Sequence, residues 1–247
     1  MTANVQIGVG GDIITLGDGN NDTVSALAES LGSGNKITLG NGAGDTVNAS
    51  AGPGDTIILG NGAGDTVTAN SGGYKITLGN GAGDTVNASG PGETITLGNG
   101  NNDTVMISGQ LSHYDDTINV GNGNADVVND YYLTRPNSTI PQNDTITVGN
   151  GNDTIYVGNG DTVTVGTGQD SFVFDQTAAG QIGAVTINHF NPSKDVITLS
   201  STLTTAVSYQ DNSQGNAVVT VDNNSADTIT LVGVHASALH ASDFHFA

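Results

Sequence analysis

The sequence predicts an all-β fold, a right-handed parallel β-solenoid with two short strands per coil and a small antiparallel cap at its C-terminal end. Three observations predict this fold. An eight-residue turn, first complete at Gly40 to Val47, recurs at intervals near 20 residues. Apolar and polar residues alternate after each turn, as in short strands with one buried face. Glycine accounts for 37 of the 247 residues, so turns are dense.

Each copy of the turn contains an aspartate at a fixed place, and these aspartates form what we call the first row. The turn Gly40-Asn41-Gly42-Ala43-Gly44-Asp45-Thr46-Val47 returns at 60–67 and 79–86, and in looser form in other coils. Successive aspartates are 17 to 27 residues apart. The members of the first row are Asp22, Asp45, Asp65, Asp84, Asp103, Asp126, Asp153 and Asp170.

A second acidic position precedes each first-row aspartate by nine or ten residues, and we call it the second row. Its acidic members are Asp12, Asp55, Glu93, Asp116, Asp144 and Asp161. Asn35 and Tyr74 occupy this position in the two remaining coils. The residues two and four places after either row are apolar, as Ile57 and Leu59 are after Asp55, with Val128 alone after Asp126. Each row therefore precedes a strand, and the two rows belong to the same coil.

Composition divides the chain into two predicted regions. Residues 1–170 form the solenoid of about eight coils, and residues 171–247 form the cap. Every Phe lies beyond Asp170, together with only six of the 24 acidic residues. Four strand-like runs predict a small antiparallel unit, and they lie at 184–190, 195–199, 217–222 and 227–232.

The charge of the chain favours cations as partners. Its formal net charge is -20 at pH 7, which excludes nucleic acid and anionic membranes as natural ligands. Stacked coils would hold like carboxylates about 4.8 Å apart, where two unit charges repel by roughly 1 to 4 kcal/mol. One aspartate in a glycine-rich turn is an ordinary turn residue, but eight in register favour a bridging ion. With oxygen ligands and no Cys, both rows predict several bound Ca²⁺ ions rather than Mg²⁺ or Zn²⁺.

Extra residues accumulate on one edge of the predicted solenoid. They form three loops beside the second row, near 25–34, 106–115 and 129–143. A partner-binding edge is one interpretation, since surface loops on a rigid scaffold commonly carry binding sites, and a saccharide or protein is the kind of partner expected. Loops that pack on their own tyrosines are the other. The residues of this edge are Tyr74, Tyr114, Tyr131, Tyr132 and Arg135.

Outward-facing threonines form a second regular feature. Thr94-x-Thr96, Thr117-x-Asn119, Thr145-x-Thr147 and Thr162-x-Thr164 follow the second row in successive coils. Such an array resembles the surface of ice-binding solenoids, although threonine is also simply a good strand former. Lys36, Ile58 and Lys75 interrupt the array in the earlier coils.

Specific motifs resemble a known family. Val148-Gly149-Asn150-Gly151-Asn152-Asp153-Thr154-Ile155-Tyr156 and Val165-Gly166-Thr167-Gly168-Gln169-Asp170-Ser171-Phe172-Val173 are similar to the nonapeptide of calcium-binding repeats-in-toxin (RTX) proteins. Ile187-Asn188-His189-Phe190-Asn191-Pro192-Ser193-Lys194-Asp195-Val196-Ile197-Thr198-Leu199-Ser200 resembles the cap that follows these repeats in secreted proteases. The resemblance covers residues 144–247 well and earlier coils through their periodicity. It implies a β-roll in which Asp153 with Asp170, and Asp144 with Asp161, bind Ca²⁺ between coils.

The same resemblance implies a route out of the cell. The first residues carry no charged segment followed by an apolar one, as a cleaved secretory signal would. In the family, an uncleaved C-terminal segment directs type I secretion, so the resemblance implies an extracellular or surface protein of a Gram-negative bacterium. No apolar run reaches the roughly 20 residues that span a bilayer. The expected role is a structural, adhesion or matrix module.

Catalytic motifs are not recognised in the sequence. The five histidines do not form an H-E-x-x-H motif, and no G-x-S-x-G motif occurs. The sequence therefore predicts a protein that is not an enzyme. A polysaccharide lyase, or an accessory module of a lyase or epimerase, is the enzymatic alternative, although Arg135 is the only arginine that could assist such a reaction. Ice binding is the other alternative.

Overall fold

In the computed structural model the chain is an all-β parallel solenoid, which confirms the predicted fold class. The structure describes residues 2–7, 10–26, 33–49, 52–108, 115–130, 142–174, 182–201 and 206–247. Within these ranges the only helical segments are two 3₁₀ turns, Ala236–Ala238 and Ala241–Asp243. None of the helices in this part of the chain is long and apolar enough to cross a membrane.

Within the described residues the strands form two sheets, of 11 and 12 strands, and successive strands alternate between them up to β19 (Val196–Leu199). The first sheet contains, in spatial order, β1 (Asn4–Ile7), β3 (Thr23–Ala26), β5 (Thr46–Ala49), β7 (Thr66–Ala69), β9 (Thr85–Ala88), β11 (Thr104–Ile107), β13 (Val127–Asn129), β15 (Thr154–Tyr156), β17 (Ser171–Phe174), β19 (Val196–Leu199) and β23 (Phe244–Phe246). The second contains β2 (Ile13–Thr15), β4 (Lys36–Thr38), β6 (Thr56–Ile58), β8 (Lys75–Thr77), β10 (Thr94–Thr96), β12 (Thr117–Val120), β14 (Thr145–Val148), β16 (Thr162–Thr164), β18 (Ala184–Asn188), β22 (Thr228–Val232), β21 (Ala217–Val221) and β20 (Val207–Asp211).

Equivalent residues of successive coils lie side by side in parallel register. Val47 pairs with Val67, and Val67 pairs with Val86. Burial alternates along the strands, so that Val47 and Ala49 of β5 are buried whereas Thr46 and Asn48 are partly exposed. The period of two in the sequence therefore reflects one buried face per strand.

The buried faces of the two sheets pack into one aliphatic core. The first coil departs from this pattern, because Ile14 and Leu16 are only partly buried although the sequence predicts that they face the core. Ile13 beside them is 77% exposed. This coil has a neighbour on one side only, since β1 and β2 are the outermost strands of their sheets.

The C-terminal region contains a mixed sheet rather than a separate antiparallel unit. β18 and β19 extend the two parallel sheets by pairing with β16 and β17, so parallel pairing continues past residue 170. Antiparallel pairing joins β20 to β21 and β21 to β22. Of the four predicted antiparallel runs, two therefore continue the solenoid. The other two, β21 and β22, pair as predicted.

Much of the predicted partner-binding edge lies outside the described residues. This holds for residues 27–32, 109–114 and 131–141 within the three predicted loops. Four residues of the predicted edge lie outside the described residues, namely Tyr114, Tyr131, Tyr132 and Arg135. Their role in binding a partner stays a prediction.

Candidate metal centre

The first row runs along one edge of the solenoid, where each aspartate directly precedes a strand of the first sheet. The register of those strands stacks the aspartates, because Thr46 pairs with Thr66 and Thr66 pairs with Thr85. All eight side chains are buried, with at most 3% of their surface exposed. The structure therefore brings the whole predicted row together.

One carboxylate oxygen of each first-row aspartate has a structural role. The backbone N–H of Asp22 donates to Oδ1 of Asp45, at 2.9 Å, and the N–H of Asp45 donates to Oδ1 of Asp65, at 2.9 Å. The same bond repeats in every coil up to the bond from Asp153 to Asp170, at 3.1 Å. Oδ1 thus satisfies a backbone donor in the turn of the preceding coil.

The other oxygen has no such partner. Oδ2 is buried and accepts no hydrogen bond in seven of the eight first-row side chains, namely Asp45, Asp65, Asp84, Asp103, Asp126, Asp153 and Asp170. A buried charged oxygen left without a partner is costly, by about 1 to 3 kcal/mol or more. A proton or a cation would remove that cost.

Burial raises the pKa of these carboxyl groups. The pKa of Asp65, Asp84, Asp103 and Asp126 rises from 3.8 to about 6, and that of Asp170 rises to about 7. Loss of hydration of the charged form is the largest cause, the backbone hydrogen bond to Oδ1 opposes it, and neighbouring first-row carboxylates add to it. The first row therefore lacks the positive charge that would stabilise its ionised carboxylates.

The glycines of the turn lie against the backbone of the preceding coil, where a side chain would collide with a carbonyl oxygen. A Cβ on Gly62 would lie 1.7 Å from the carbonyl oxygen of Gly42 and 3.1 Å from Oδ2 of Asp65. The next coil repeats this geometry at Gly81, where a Cβ would lie 1.5 Å from the carbonyl oxygen of Gly62. The unpartnered Oδ2 atoms therefore face a turn that also presents carbonyl oxygens and admits only glycine.

A second ladder, made of asparagines, runs along the exposed side of the same turns. The backbone N–H and Nδ2 of Asn61 both donate to Oδ1 of Asn41, each at 3.0 Å. Asn80, Asn99, Asn122 and Asn150 repeat this pair of bonds. The sequence predicted only a turn here, yet the fixed place of the asparagine in each turn is the signal of this ladder.

The second row lies on the opposite edge and is less regular. Asp55, Glu93, Asp116, Asp144 and Asp161 are buried, whereas Asp12 in the first coil is partly exposed. Its later members repeat the first-row bond, because the N–H of each acid donates to the acid of the next coil, from Glu93 to Asp161. Burial is the largest cause that raises the pKa of Glu93 to about 8 and the pKa values of Asp116 and Asp161 to about 7.

Two non-acidic residues interrupt the second row in different ways. Nδ2 of Asn35 donates a hydrogen bond to Oδ2 of Asp55, at 3.3 Å. This amide thus gives the buried oxygen a partner, as a cation would in other coils. Tyr74 is buried, and its hydroxyl lies 2.7 Å from the carbonyl oxygen of Gly52. The structure therefore contradicts the interpretation of Tyr74 as a surface contact for a partner, because its ring fills the interior of the coil.

Two further aspartates belong to the site although the sequence analysis did not assign them. Asp195 continues the first row, since the N–H of Asp170 donates to its Oδ1, at 3.0 Å, and Oδ2 accepts the N–H of Asn191, at 2.8 Å. Asp195 also precedes two buried apolar residues at plus two and plus four, Ile197 and Leu199, which is the repeat pattern.

The second unassigned aspartate is Asp130. Each of Asp130, Asp144 and Asp161 offers one carboxylate oxygen such that the three atoms lie within 4.8 Å of one another. Within the described ranges this is the one group of three acidic or histidine side chains with such spacing. Buried groups of aspartates in this protein could thus hold a metal ion.

Comparison of the chain with models of protein families, with curated proteins and with solved structures found no match. The resemblance to RTX repeats therefore rests on the quoted sequence motifs alone.

Proposed function

We propose that this protein is a calcium-binding structural solenoid whose buried carboxylates are neutralised by Ca²⁺, so that folding depends on the ion. One observation carries the proposal: seven consecutive first-row aspartates each bury an Oδ2 atom that accepts no hydrogen bond. Sharing a divalent cation between successive coils would offset both the desolvation and the mutual repulsion of these side chains.

The ligand atoms fit a hard cation. The first row offers Oδ2 atoms, and the glycine turns add carbonyl oxygens close to them. Ca²⁺ accepts six to eight oxygen ligands in flexible geometry, whereas Mg²⁺ requires a stricter octahedron and Zn²⁺ prefers nitrogen or sulfur. When bound, Ca²⁺ would supply positive charge along the row, while the Oδ1 bonds hold the coils in register.

The RTX resemblance supports an extracellular setting for this chemistry. The proposal places the protein outside a bacterial cell after type I secretion, as a module of a surface layer, matrix or adhesion complex. Calcium is scarce inside cells and abundant outside them, so a chain that needs the ion would fold after export. Stability would then increase with the free Ca²⁺ concentration, because only the folded chain presents the assembled sites.

Far-UV circular dichroism of metal-free protein, titrated with Ca²⁺, tests the proposal. We expect weak β-structure in chelator and a cooperative gain as Ca²⁺ is added. Equal ionic strength of NaCl is the control, because general screening acts on charges without filling sites. Identical spectra in chelator and in Ca²⁺, together with identical melting temperatures, would contradict the proposal.

The strand register favours ice binding as a second candidate. It places Thr94, Thr117, Thr145, Thr162 and Thr186 in one outward file of the second sheet. A parallel file contains Thr96, Asn119, Thr147, Thr164 and Asn188. Neighbouring members of a file are about 4.8 Å apart, as strands in a sheet are, so the hydroxyls form a regular two-dimensional array.

Thermal hysteresis measured in the presence of Ca²⁺ tests this second candidate. If the array binds ice, Thr147→Tyr in its centre abolishes the hysteresis, whereas Thr68→Tyr on the outward face of the first sheet leaves it unchanged. The absence of hysteresis in the wild-type protein excludes ice binding and leaves the calcium proposal intact.

A further inference from the structure

Asp130 stands at a core position of the solenoid. Asn129 pairs with Met106 on one side and with Tyr156 on the other, so the next residues along the three strands, Ile107, Asp130 and Val157, are neighbours. In the described coils the other residues at this position of the first sheet are all apolar, namely Ile7, Ala26, Ala49, Ala69, Ala88, Ile107, Val157, Phe174, Leu199 and Phe246. A carboxylate thus replaces an aliphatic side chain in one coil.

The carboxylate of Asp130 accepts no hydrogen bond that would compensate its burial. Its side chain is 0% exposed, and neither Oδ1 nor Oδ2 accepts a hydrogen bond. The backbone of the same residue is satisfied, since its N–H donates to the carbonyl oxygen of Tyr156, at 3.2 Å. The position is therefore compatible with the fold, and the unmet requirement belongs to the side chain alone.

Two other carboxylates meet Asp130 from the second sheet. Asp144 precedes β14 and Asp161 precedes β16, whereas Asp130 follows β13 of the first sheet. Backbone donors orient Asp161, whose Oδ1 accepts the N–H of Asp144, at 3.2 Å, and whose Oδ2 accepts the N–H of Gly158, at 2.6 Å. Three negative groups from three strands of two sheets thus converge in a buried place.

We propose that Asp130, Asp144 and Asp161 together bind one hard cation of the Ca²⁺ class inside the coil, at a site that adds Asp130 to two carboxylates of the second row. Asp130 belongs to neither row, so this site occurs once where the rows repeat. The inference rests on the proposed function for the class of cation and deepens it by naming one discrete site. A cation there joins the end of β13 to the starts of β14 and β16 and links the two sheets.

The number of Ca²⁺ ions bound per chain, measured by native mass spectrometry and calorimetric titration, tests the inference. Asp130→Val restores the apolar file, and Asp130→Asn keeps the shape of the side chain. We expect both variants to bind one Ca²⁺ fewer than the wild-type protein. Asp222→Asn is the matched control, because Asp222 is exposed, lies in the turn between β21 and β22, and has a positive φ of 51° that asparagine tolerates.

A second readout separates a binding site from a merely buried acid. In chelator, Asp130→Val raises the melting temperature above that of the wild-type protein, because it removes from the core a buried carboxyl group that accepts no hydrogen bond. In saturating Ca²⁺ the gain in melting temperature caused by the ion is smaller for this variant than for the wild type. Unchanged ion number in Asp130→Val, with wild-type Ca²⁺ binding present, overturns this inference alone. A wild-type protein that binds no Ca²⁺ overturns the proposed function and this inference with it.

Discussion

At the scale of single residues, the two carboxylate oxygens of a first-row aspartate have different environments. Oδ1 of Asp84 accepts the N–H of Asp65, at 3.0 Å, and so fixes one turn on the next. Oδ2 of Asp84 is buried without a partner. The bond through Oδ1 requires only an acceptor, whereas the proposed ion site requires the negative charge of Oδ2.

Substitution of Asp84 separates these two requirements. Asp84→Ala removes the acceptor of a buried N–H, so we expect a loss of about 1 to 3 kcal/mol in the free energy of unfolding in chelator, and a larger loss in Ca²⁺, where the variant also lacks the proposed ligand of the ion. Asp84→Asn keeps an acceptor and removes the charge, so in chelator it is at least as stable as the wild type, and in Ca²⁺ it is less stable. Denaturant titrations in both conditions measure these differences. Equal losses for the two variants in chelator would show that the charge of Oδ2 has no influence.

At the scale of elements, the two ladders of the first-row turn differ in their dependence on ions. The asparagine ladder is exposed and neutral, since Asn80 donates its N–H and Nδ2 to Asn61. It therefore stabilises the stacking of turns by hydrogen bonds alone.

Removal of one asparagine should act equally with and without calcium. Asn80→Ala removes the Nδ2 bond to Asn61 and the acceptor of the N–H and Nδ2 of Asn99, but it keeps the backbone N–H that donates to Asn61. Exposed neutral bonds contribute about 0.5 to 1.5 kcal/mol each at most. We expect a loss of about 1 kcal/mol in the free energy of unfolding in both chelator and Ca²⁺. A loss seen only in Ca²⁺ would instead indicate that this side chain helps to bind the ion.

Most elements of the solenoid could be predicted from the sequence, because the period of two reports which side chains face the core. The continuation into β18 and β19 was missed, since the segment before Asp195 reads Asn191-Pro192-Ser193-Lys194 and lacks the glycine turn that marks the other coils. Asp195 nevertheless holds the same bond through its Oδ1. A turn of different sequence can thus form the same hydrogen bond between coils.

The positions of the candidate site residues could be predicted where those residues repeat from coil to coil, but not where they occur once. Asp130 follows Asp126 by four residues, the place at which other coils have an apolar side chain. An aspartate in place of that apolar residue was the feature of the sequence that could have identified Asp130. Tyr74 was expected near a partner because it lies on the edge that carries the extra loops, but second-row side chains point into the coil, and its ring is buried there.

At the scale of the whole molecule, the raised pKa values connect stability to pH. The pKa values of Asp116, Asp161 and Glu93 rise to about 7, 7 and 8, and those of four first-row aspartates rise to about 6. A folded-state pKa above the unfolded value means that the folded chain holds more protons. Stability from these groups is complete below about pH 4 and is lost as the pH rises through about 6 to 8.

Metal-free protein should therefore become less stable between pH 5 and pH 8, as thermal melts at a series of pH values can measure. Saturating Ca²⁺ should reverse this trend, because the ion binds the deprotonated carboxylates and competes with protons. A melting temperature that rises with pH in the absence of metal would contradict the assignment of these carboxyl groups as protonated when the ion is missing.

The first-row bonds also make the spacing of turns independent of the length of chain between them. The bond from Asp126 to Asp153 spans 27 residues and that from Asp153 to Asp170 spans 17, yet their lengths are 3.0 and 3.1 Å. Each coil therefore adds the same rise along the axis, whatever peptide is inserted at the opposite edge. A foreign peptide grafted between two strands at that edge would therefore leave the spacing of the coils unchanged. Its position along the solenoid axis would be known from the number of the coil that carries it.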